Sequence, residues 1–449
     1  MKKPGGDRLI RFLIAGTLLI PLAVVFPLDA QSTAQDAGHT NGKARLKLVV
    51  ILSRHGVRPP TWTQERLNAY SALPWPNWTV PPGNLTPHGY ELMKRFGSFE
   101  RASYAEAGLF VAKGCSDAAA TYVWADTDQR TMESGRALAE GMFPGCPPMV
   151  HSLAAGEHDP LFHPRAHGLK AASALPVKNE HETTAMQLPD KDQSELLAEM
   201  QHVLMGCSPR KSCTPVQAPE ILLLGDSTNA TGGISDHPVE IRGPLGQASS
   251  FAEDFLLEYV EGMPSSQVGW GNVDAAQLRR FITLHSDYSD LTHRTPESAR
   301  AEASNLLFHI ARTLDQGAEG HSVEDALGPA GSKMVLLVGH DTNISGVAAL
   351  LGLDWSLDGR RDDTPPGTEL AFGLWQNENG AYTVRVTVSM QTLRQMREMR
   401  KLTSAAPPAQ EELMLKGCRA ETHACRLEDF MRFVDGAIDR GSVSTARSN

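Results

Sequence analysis

The residues with the clearest chemical potential lie in one short segment, Ser53-Arg54-His55-Gly56-Val57-Arg58. It directly follows Leu46–Leu52, a largely apolar run that is typical of a buried strand. Guanidinium groups bind tetrahedral oxyanions through paired hydrogen bonds, and phosphate is a natural ligand for them. A histidine held between two arginines can also attack phosphorus through a neutral ring nitrogen. The segment therefore predicts phosphoryl transfer.

Charged residues follow two further apolar runs. Ala119–Ala125 leads into Asp126 and Arg130, and Met334–Val338 leads into Gly339–Asp341, which reads Gly-His-Asp. In open α/β sheets, ligands bind at the carboxyl ends of the strands. If the three predicted strands are parallel neighbours, their charged ends meet at one edge of a sheet.

Together these residue types favour a covalent mechanism. His55 attacks phosphorus, and a protonated Asp341 gives its proton to the departing alkoxide. Positive charge for the transferring group comes from Arg54, Arg58, Arg130 and His340. Because these side chains do the work that magnesium does in other phosphoryl transferases, we expect no metal ion and no other cofactor. The protonated Asp341 predicts an acidic pH optimum.

Each cluster alone has a simpler interpretation. An Arg-His pair after a strand is typical of a solvated loop. His340 and Asp341 are typical of a helix-capping pair. Asp126 and Arg130 are typical of a surface salt-bridge cluster. The motif RHG-x-R-x-P fixes five positions. If each residue type occurs at about one position in twenty, the motif arises by chance in roughly one of several thousand chains of this length. The combination of all three clusters therefore carries the functional prediction.

The elements that must position these residues form an α/β pattern. The three apolar runs predict strands, and Asn377–Gly380 predicts the turn of a hairpin. Between about 147 and 300 the periodicity becomes helical. Helices are predicted at Thr131–Met142, Ser194–Met205 with Asp192 as its cap, Gln247–Gly262, Ala275–His285 and Glu297–Leu314. We expect an α/β catalytic domain from residues 44–146 and 300–449, and an α-helical insert domain from 147–299.

The first thirty residues are typical of a secretory signal peptide. Basic residues precede Phe12–Phe26, an uncharged run, and Ala30 is a small residue before a possible cleavage point. The apolar core contains Pro21 and is shorter than the ~20 residues that span a membrane. Residues 31–43 predict a disordered tether. We expect a periplasmic or secreted protein without a membrane partner, and the net charge of −10 argues against nucleic acid.

The chain has six cysteines, and an even number in an exported protein favours disulfides. A zinc site is the alternative, but the sequence has no CxxC or Cys/His ligand spacing. The expected pairs are Cys207–Cys213 and Cys418–Cys425, which close short loops, and Cys115–Cys146, which remains.

These motifs resemble those of the histidine acid phosphatases, and within that family the bacterial periplasmic phytases and glucose-1-phosphatases. The likeness is carried, in family order, by SRHGVRPP, WPNWTVPPGNLTPHGYEL, ADTDQRT, HRTPESAR, GHDTN and DTPPGTELAFGLW. It implies a phosphoglycerate-mutase-like α/β domain with a mostly helical inserted domain, and the residue roles given above. It also implies substrate contacts by Thr61, Asp126, Glu253 and Arg294. For Glu253 the alternative is the solvated face of its predicted helix.

One departure from the family concerns substrate. Trp62 stands where the phytases tend to have a lysine, and an indole cannot pair with additional phosphates. We therefore expect a monomeric, exported acid phosphatase that hydrolyses phytate or a broader range of small organic phosphates. A glucose-1-phosphatase is the near alternative. Two alternatives are more remote. The predicted signal peptide disfavours a phosphomutase, and the presence of both His55 and Asp341 disfavours a non-catalytic phosphate-binding protein.

Overall fold

The computed structural model describes residues 44–164, 184–185, 191–212, 214, 217–225, 229–232, 239–416, 418 and 423–444. The predicted signal peptide and tether lie outside these residues and stay predictions. The strands are β1 Arg45–Arg54, β2 Thr121–Ala125, β3 Val150–His151, β4 Thr184–Ala185, β5 Asn229–Gly232, β6 Val239–Arg242, β7 Met334–Gly339, β8 Ser356–Leu357, β9 Arg360–Arg361, β10 Glu369–Gln376, β11 Tyr382–Met390, β12 Ala409–Leu413 and β13 Cys425–Arg426. The helices are α1 Gln64–Ala69, α2 Pro87–Glu106, α3 Gln129–Met142, α4 Lys191–Leu204, α5 Pro244–Val260, α6 Ala275–Thr292, α7 Pro296–Glu319, α8 Asp341–Leu351, α9 Leu393–Arg397 and α10 Leu427–Ala437.

The main sheet brings the three predicted strand ends together. Its order is β12-β11-β10-β1-β7-β2-β3, with β13 paired to β11. β7 runs parallel to both neighbours, and its last residues align with Arg54 of β1 and Ala125 of β2. Every residue of β7 is buried, as expected for a parallel strand covered on both faces. The prediction of parallel neighbours is confirmed.

A hairpin continues the sheet beyond β1. β10 and β11 pair antiparallel around the predicted turn, where the Gly380 amide donates to the Asn377 carbonyl at 2.9 Å and Gly380 has φ 84°. β10 also pairs antiparallel with β1. The hairpin therefore brings the segment before β10 alongside the end of β1.

Helices cover both faces of the sheet. α7, α8 and α10 share one apolar core with the strands, and α2 and α3 share the core on the opposite face. Leu306, Val347 and Phe430 lie in the first core, and Phe96 and Leu138 lie in the second. Complete burial of such side chains stabilises by about 1.5–3 kcal/mol each. The helices that carry Arg130 and Asp341 are thus fixed by packing.

A third core lies in the helical part of the chain, where α4, α5 and α6 pack together. The three-stranded sheet β4-β5-β6 of this part was not predicted. α5 and α7 begin at Pro244 and Pro296, earlier than predicted, because proline suits the first helical turn. The prediction that Asp192 caps α4 is wrong, since α4 begins at Lys191 and Asp192 lies within its first turn.

The predicted domain division stays a prediction, because the core around α4, α5 and α6 also contains Val57, Trp75 and Met396 from outside residues 147–299. β3 lies in the main sheet although its residues fall in the predicted insert. The disulfides Cys115–Cys146 and Cys418–Cys425 are confirmed, with Cα atoms 6.0 and 5.0 Å apart. Cys213, the predicted partner of Cys207, lies outside the described residues. No helix in the described part of the chain is long and apolar enough to cross a bilayer.

The close packing of α2 on α3 generates a prediction. A Cβ at Gly97 of α2 would overlap the backbone carbonyl of Leu138 in α3. We expect Gly97→Ala to lower the free energy of unfolding by about 1–3 kcal/mol, the usual cost of overpacking. Gly436→Ala is the matched control, because nothing lies within 4 Å of a Cβ there and alanine favours the helix. Urea unfolding of both variants checks this, and equal stability of the two would contradict it.

Candidate active site

The backbone around His55 is held from three sides. The His55 amide donates to the Gly339 carbonyl at 3.0 Å, and its own carbonyl accepts from the Gly367 amide at 3.0 Å. The next amide, of Gly56, donates to Oγ of Ser134 in α3 at 2.8 Å. The end of β1 is therefore fixed by β7, by the segment before β10 and by α3.

The His55 ring is neutral in the ligand-free site. It is 2% exposed, and its Nδ1 lies 2.8 Å from the Gly56 carbonyl oxygen. Because that oxygen can only accept, Nδ1 carries the proton and Nε2 keeps its lone pair. Burial, and then the positive charges of Arg130, Arg54 and Arg58, hold the pKa of His55 well below its usual 6.5. An unprotonated Nε2 can attack phosphorus.

Glu253 of α5 holds two of the arginines. Its carboxylate forms an ion pair with Arg54, and it accepts from Arg58 at 3.2 Å. Arg54 also donates to the Thr364 carbonyl. Burial alone would raise the pKa of Glu253, but Arg58 and Arg54 lower it to about 2. The solvated-face interpretation of Glu253 is wrong, since its side chain is 14% exposed and orients two arginines.

Arg130 of α3 completes the group of cations. Its guanidinium pairs with Asp128 at 2.6 Å and lies 3.5 Å from the Gly83 carbonyl oxygen. Thr61 is exposed, and its methyl group lies 3.7 Å from where a Cβ on Gly83 would stand. Among the described residues, no hydrogen-bond acceptor contacts the buried Nε atom of Arg54, Arg58 or Arg130. Unsatisfied buried donors of this kind suit an anionic ligand.

Two cavities adjoin at Asp341 and Thr342, which line both. The first has a volume of about 210 Å³, and its lining includes His55, Arg58, Arg130, His163 and His340. The second, of about 170 Å³, lies beside α5 and α6, and its lining includes Ser249, Glu253, His285 and Tyr288. The first cavity is cationic and suits a phosphoryl group, while the second has room for the rest of an ester.

Asp126 does not line either cavity, and its predicted substrate contact stays a prediction. The side chain is 1% exposed, and its Oδ2 accepts from Nε2 of His340 at 2.6 Å and from Nε2 of His163 at 2.8 Å. Burial alone would raise the pKa of Asp126, but the two imidazoles hold it well below its usual range. Asp126 therefore positions His340.

These three residues also form a group of metal-ligand types. Asp126, His163 and His340 each offer one possible ligand atom, and these three atoms lie within 4.8 Å of one another. Two direct hydrogen bonds already use Oδ2 of Asp126 and both Nε2 atoms. Burial, and then the charge of Arg130, lower the pKa of His340. This positive surrounding favours an anion over a cation, so we assign no metal here.

Asp341 begins α8, where the helix dipole favours a negative charge. Its Oδ2 lies 3.5 Å from Arg54 and 4.0 Å from Nε2 of His285. Burial alone would raise the pKa of Asp341, but Arg54, His285, His55 and Arg58 hold it far below its usual range. Asp341 is therefore ionised in the ligand-free site, and the expectation of a protonated Asp341 facing a bound phosphate stays a prediction.

Arg294 lies outside both cavities. Its guanidinium donates to Asp354 at 2.6 Å and to the Leu353 carbonyl at 2.9 Å, and pairs with Asp290 at 3.3 Å. Asp362, which lines the second cavity, lies 4.0 Å from it. Arg294 is thus one layer behind the cavity wall, and its predicted substrate contact stays a prediction, as does that of Thr61.

Sequence reasoning missed several residues at this site. His163 and His285 carry no motif of their own, and only the fold places them beside His340 and Asp341. The role of Asn343 could have been predicted, because a side-chain amide at the third helical position often accepts a hydrogen bond from the backbone amide of the cap residue. Its Oδ1 accepts from the His340 amide at 2.9 Å.

A strand-end histidine, three neighbouring arginines and a His-Asp pair together form a geometry that suits phosphate. Sequence comparison places the chain in one family. A model of the histidine phosphatase superfamily (branch 2) matches residues 45–389, and the chain belongs to that family. Among curated proteins it is 32% identical to phytase AppA of Escherichia coli (strain K12) over 444 residues, 94% of this chain and 98% of the relative. It is 28% identical to glucose-1-phosphatase of Salmonella typhimurium over 430 residues, 94% and 97% of the two chains.

Solved structures show the same fold. The apo form of Hafnia alvei phytase matches with a TM-score of 0.79 at 31% identity, covering 89% of this chain and 98% of that one. The complex of that phytase with myo-inositol hexakis sulphate matches with a TM-score of 0.78 at 32% identity, covering 89% and 99%. The predicted fold class and family are confirmed.

The contact between Asp126 and His340 generates a prediction. Asp126→Asn keeps the shape but removes the charge that orients the ring and raises the pKa of His340 against burial. Loss of such a hydrogen bond costs about 1.5–3 kcal/mol, so the inhibition constant of inorganic phosphate should rise about 10- to 100-fold. Competitive inhibition of p-nitrophenyl phosphate hydrolysis measures it.

Asp128→Asn is the control. It removes the same charge two residues away, where the carboxylate is 43% exposed and lies 3.7 Å from Nε2 of His340. We expect a smaller change in this variant. An equal loss in both would mean that the contact between Asp126 and His340 does not set phosphate affinity.

Proposed function

We propose that this chain is an exported acid phosphatase, which hydrolyses phosphomonoesters through a phosphohistidine on His55. The observation that carries the proposal is the ring of His55, whose pKa is held low and whose Nε2 lone pair is free, beside a cavity of cations. A site that only bound phosphate would need the cations but not an unprotonated imidazole or an opposing carboxylate.

The reaction proceeds in two displacements. Nε2 of His55 forms a bond to phosphorus while the ester P–O bond breaks, and Asp341 gives its proton to the departing alkoxide. Water then attacks the phosphohistidine, Asp341 takes up one of its protons, and phosphate leaves with His55 neutral again. Arg54, Arg58, Arg130 and His340 stabilise the equatorial oxygens in both steps.

The proton on Asp341 arises when substrate binds. In the ligand-free site, cations hold the pKa of Asp341 far below its usual range. A bound phosphate brings negative charge next to the same carboxylate, which opposes those cations and raises its pKa. As pH rises through the pKa of the bound state, Asp341 loses its proton and turnover falls. The pH optimum is therefore acidic.

The substrate is phytate or a range of small organic phosphates, as in the phytase relatives, and the alternative is glucose 1-phosphate. Trp62 packs against Tyr70 and Phe251, with ring centroids 6.0 and 5.7 Å away. The guanidinium of Arg66 lies 3.4 Å from the indole centroid. Arg66 is exposed, and neither it nor Trp62 lines either active-site cavity, so this pair favours neither phytate nor a smaller ester.

Initial rates on phytate, glucose 1-phosphate and p-nitrophenyl phosphate at several pH values test the substrate. A kcat/KM that is higher for glucose 1-phosphate than for phytate would favour the alternative. Failure to release phosphate from all three would leave only the phosphomutase or the phosphate-binding protein.

The proposal includes a monomeric, periplasmic or secreted protein. The basic residues and uncharged run before Ala30 support export, and the two disulfides suit an oxidising compartment. The proposal also includes a division into an α/β catalytic domain (44–146 and 300–449) and a helical insert (147–299), which is supported by the apolar core that α4, α5 and α6 largely form.

The covalent route predicts that His55→Ala lowers kcat at least about 10⁴-fold, as expected when a nucleophile is removed. Wild-type enzyme mixed with radiolabelled ester and quenched in base should carry label on the peptide that contains His55. The control His321→Ala removes a histidine that is 69% exposed and should keep both rate and label. A near-normal rate in the folded His55→Ala variant would rule out the phosphohistidine.

The role of Asp341 predicts a dependence on the leaving group. Asp341→Asn cannot protonate an alkoxide, so hydrolysis of glycerol 2-phosphate should slow about 10²- to 10⁴-fold. p-Nitrophenyl phosphate should slow much less, because nitrophenolate leaves without a proton. Asp354→Asn, at a side chain that is 71% exposed, is the control. Equal losses on the two esters would assign Asp341 to binding and not to protonation.

A further inference from the structure

A large cavity lies away from the phosphate site, between α2 and the outer strands of the main sheet. Its volume is about 490 Å³, and none of its lining residues lines either active-site cavity. α2 forms one wall through the face that carries Phe96, Glu100 and Tyr104, which are spaced four residues apart. β10, β11 and β12 form the floor.

Two carboxyl groups lie in this cavity without a cation. Glu100 is 4% exposed and Glu369 is 2% exposed, and both line the cavity. Ser53, opposite Glu369 in the β1–β10 register, contributes a hydrogen bond to Glu369. In the described part of the chain, no lysine, arginine or histidine forms an ion pair with either group, and three of their four oxygens have no other partner. A buried carboxyl group without a counter-ion is neutralised by a proton, and an external cation can take the place of that proton as pH rises.

The cavity walls indicate which kind of cation fits. Aromatic side chains attract organic ammonium groups through their ring faces. A hydrated magnesium or calcium ion requires six or more oxygen ligands instead. The aromatic lining consists of Phe96, Phe99, Tyr104 and Trp375.

The other charged groups facing the cavity do not neutralise the pair. Arg385 of β11 lies 5.1 Å from the Trp375 ring centroid and 3.8 Å from Glu412 of β12. Its charge is therefore matched within the sheet. Tyr104 is the remaining titratable group, and burial, with Glu100 and Glu369 after it, raises the pKa of its phenol well above 10. A phenol that stays protonated is a donor and not a counter-ion.

We propose that this cavity is a second binding site, which takes a small primary amine. The ammonium group pairs with Glu100 and Glu369, and the alkyl chain lies against the aromatic side chains of α2 and β10. Amine binding at this cavity does not depend on the phosphatase reaction, so each proposal can be tested without the other.

The site should bind amines more tightly as pH rises. Burial raises the pKa of Glu100 to about 7, so the pair is protonated in acid and gains charge near neutrality. n-Butylamine stays cationic throughout this range. Its affinity should therefore increase about tenfold or more between pH 5.5 and pH 8.

Titration calorimetry of the full-length protein with n-butylamine, in buffers free of amines, tests the proposal. We expect binding at pH 8, weaker binding at pH 5.5, and at least about tenfold weaker binding by Glu100→Gln. The control Glu106→Gln removes a charge from an exposed position of the same helix and should bind as wild type does. n-Butanol, which has the same chain and no charge, should not bind.

Several results would overturn the proposal. They are no binding at pH 8, equal affinity of Glu100→Gln, binding of butanol as tight as that of butylamine, or binding of magnesium ions but not of the amine. If Glu100→Gln does not fold, Trp375→Leu serves as a second variant, since it removes an aromatic wall and leaves both carboxyl groups. Unchanged amine affinity in that variant would also count against the site. Phosphate release from p-nitrophenyl phosphate, measured alongside, should be unaffected by Glu100→Gln.

Discussion

The concentration of buried positive charge around His55 is the constraint on which the rest of the site depends. Arg54 is 1% exposed and Arg58 is 7% exposed, so their charges are costly unless carboxylates hold them. Glu253 meets that cost by pairing with both. Burial together with these charges lowers the pKa of His55 and keeps its ring neutral, and the same charges keep the Asp341 carboxyl ionised. One electrostatic arrangement thus sets the protonation of both reacting groups.

The ligand-free site is therefore not the reactive one. Asp341 faces cations that stabilise its ionised form, while its proposed task requires a proton. The charge of the substrate itself must change that balance. This links binding to chemistry, because an ester that places its phosphate poorly would also fail to protonate the acid that releases its leaving group.

Much of this arrangement could be predicted from the sequence, because it depends on where apolar runs end. β1, β2 and β7 were predicted from such runs, and their parallel pairing brings His55, Arg130 and Asp341 to one edge. What could not be predicted depends on side-chain contacts between distant elements. Asp126 and His340 are 214 residues apart in the chain and form a 2.6 Å hydrogen bond. The motif match that implied a substrate contact for Asp126 did not reveal this bond.

The two cavities that meet at Asp341 come from different parts of the chain. Strand ends and α3 supply the charged cavity, whereas α5 and α6 contribute much of the wall of its neighbour. Side chains of those two helices can therefore vary in size and polarity while the reacting atoms stay in place. Such a division of labour allows the choice of alcohol to diverge within the family without rebuilding the catalytic apparatus.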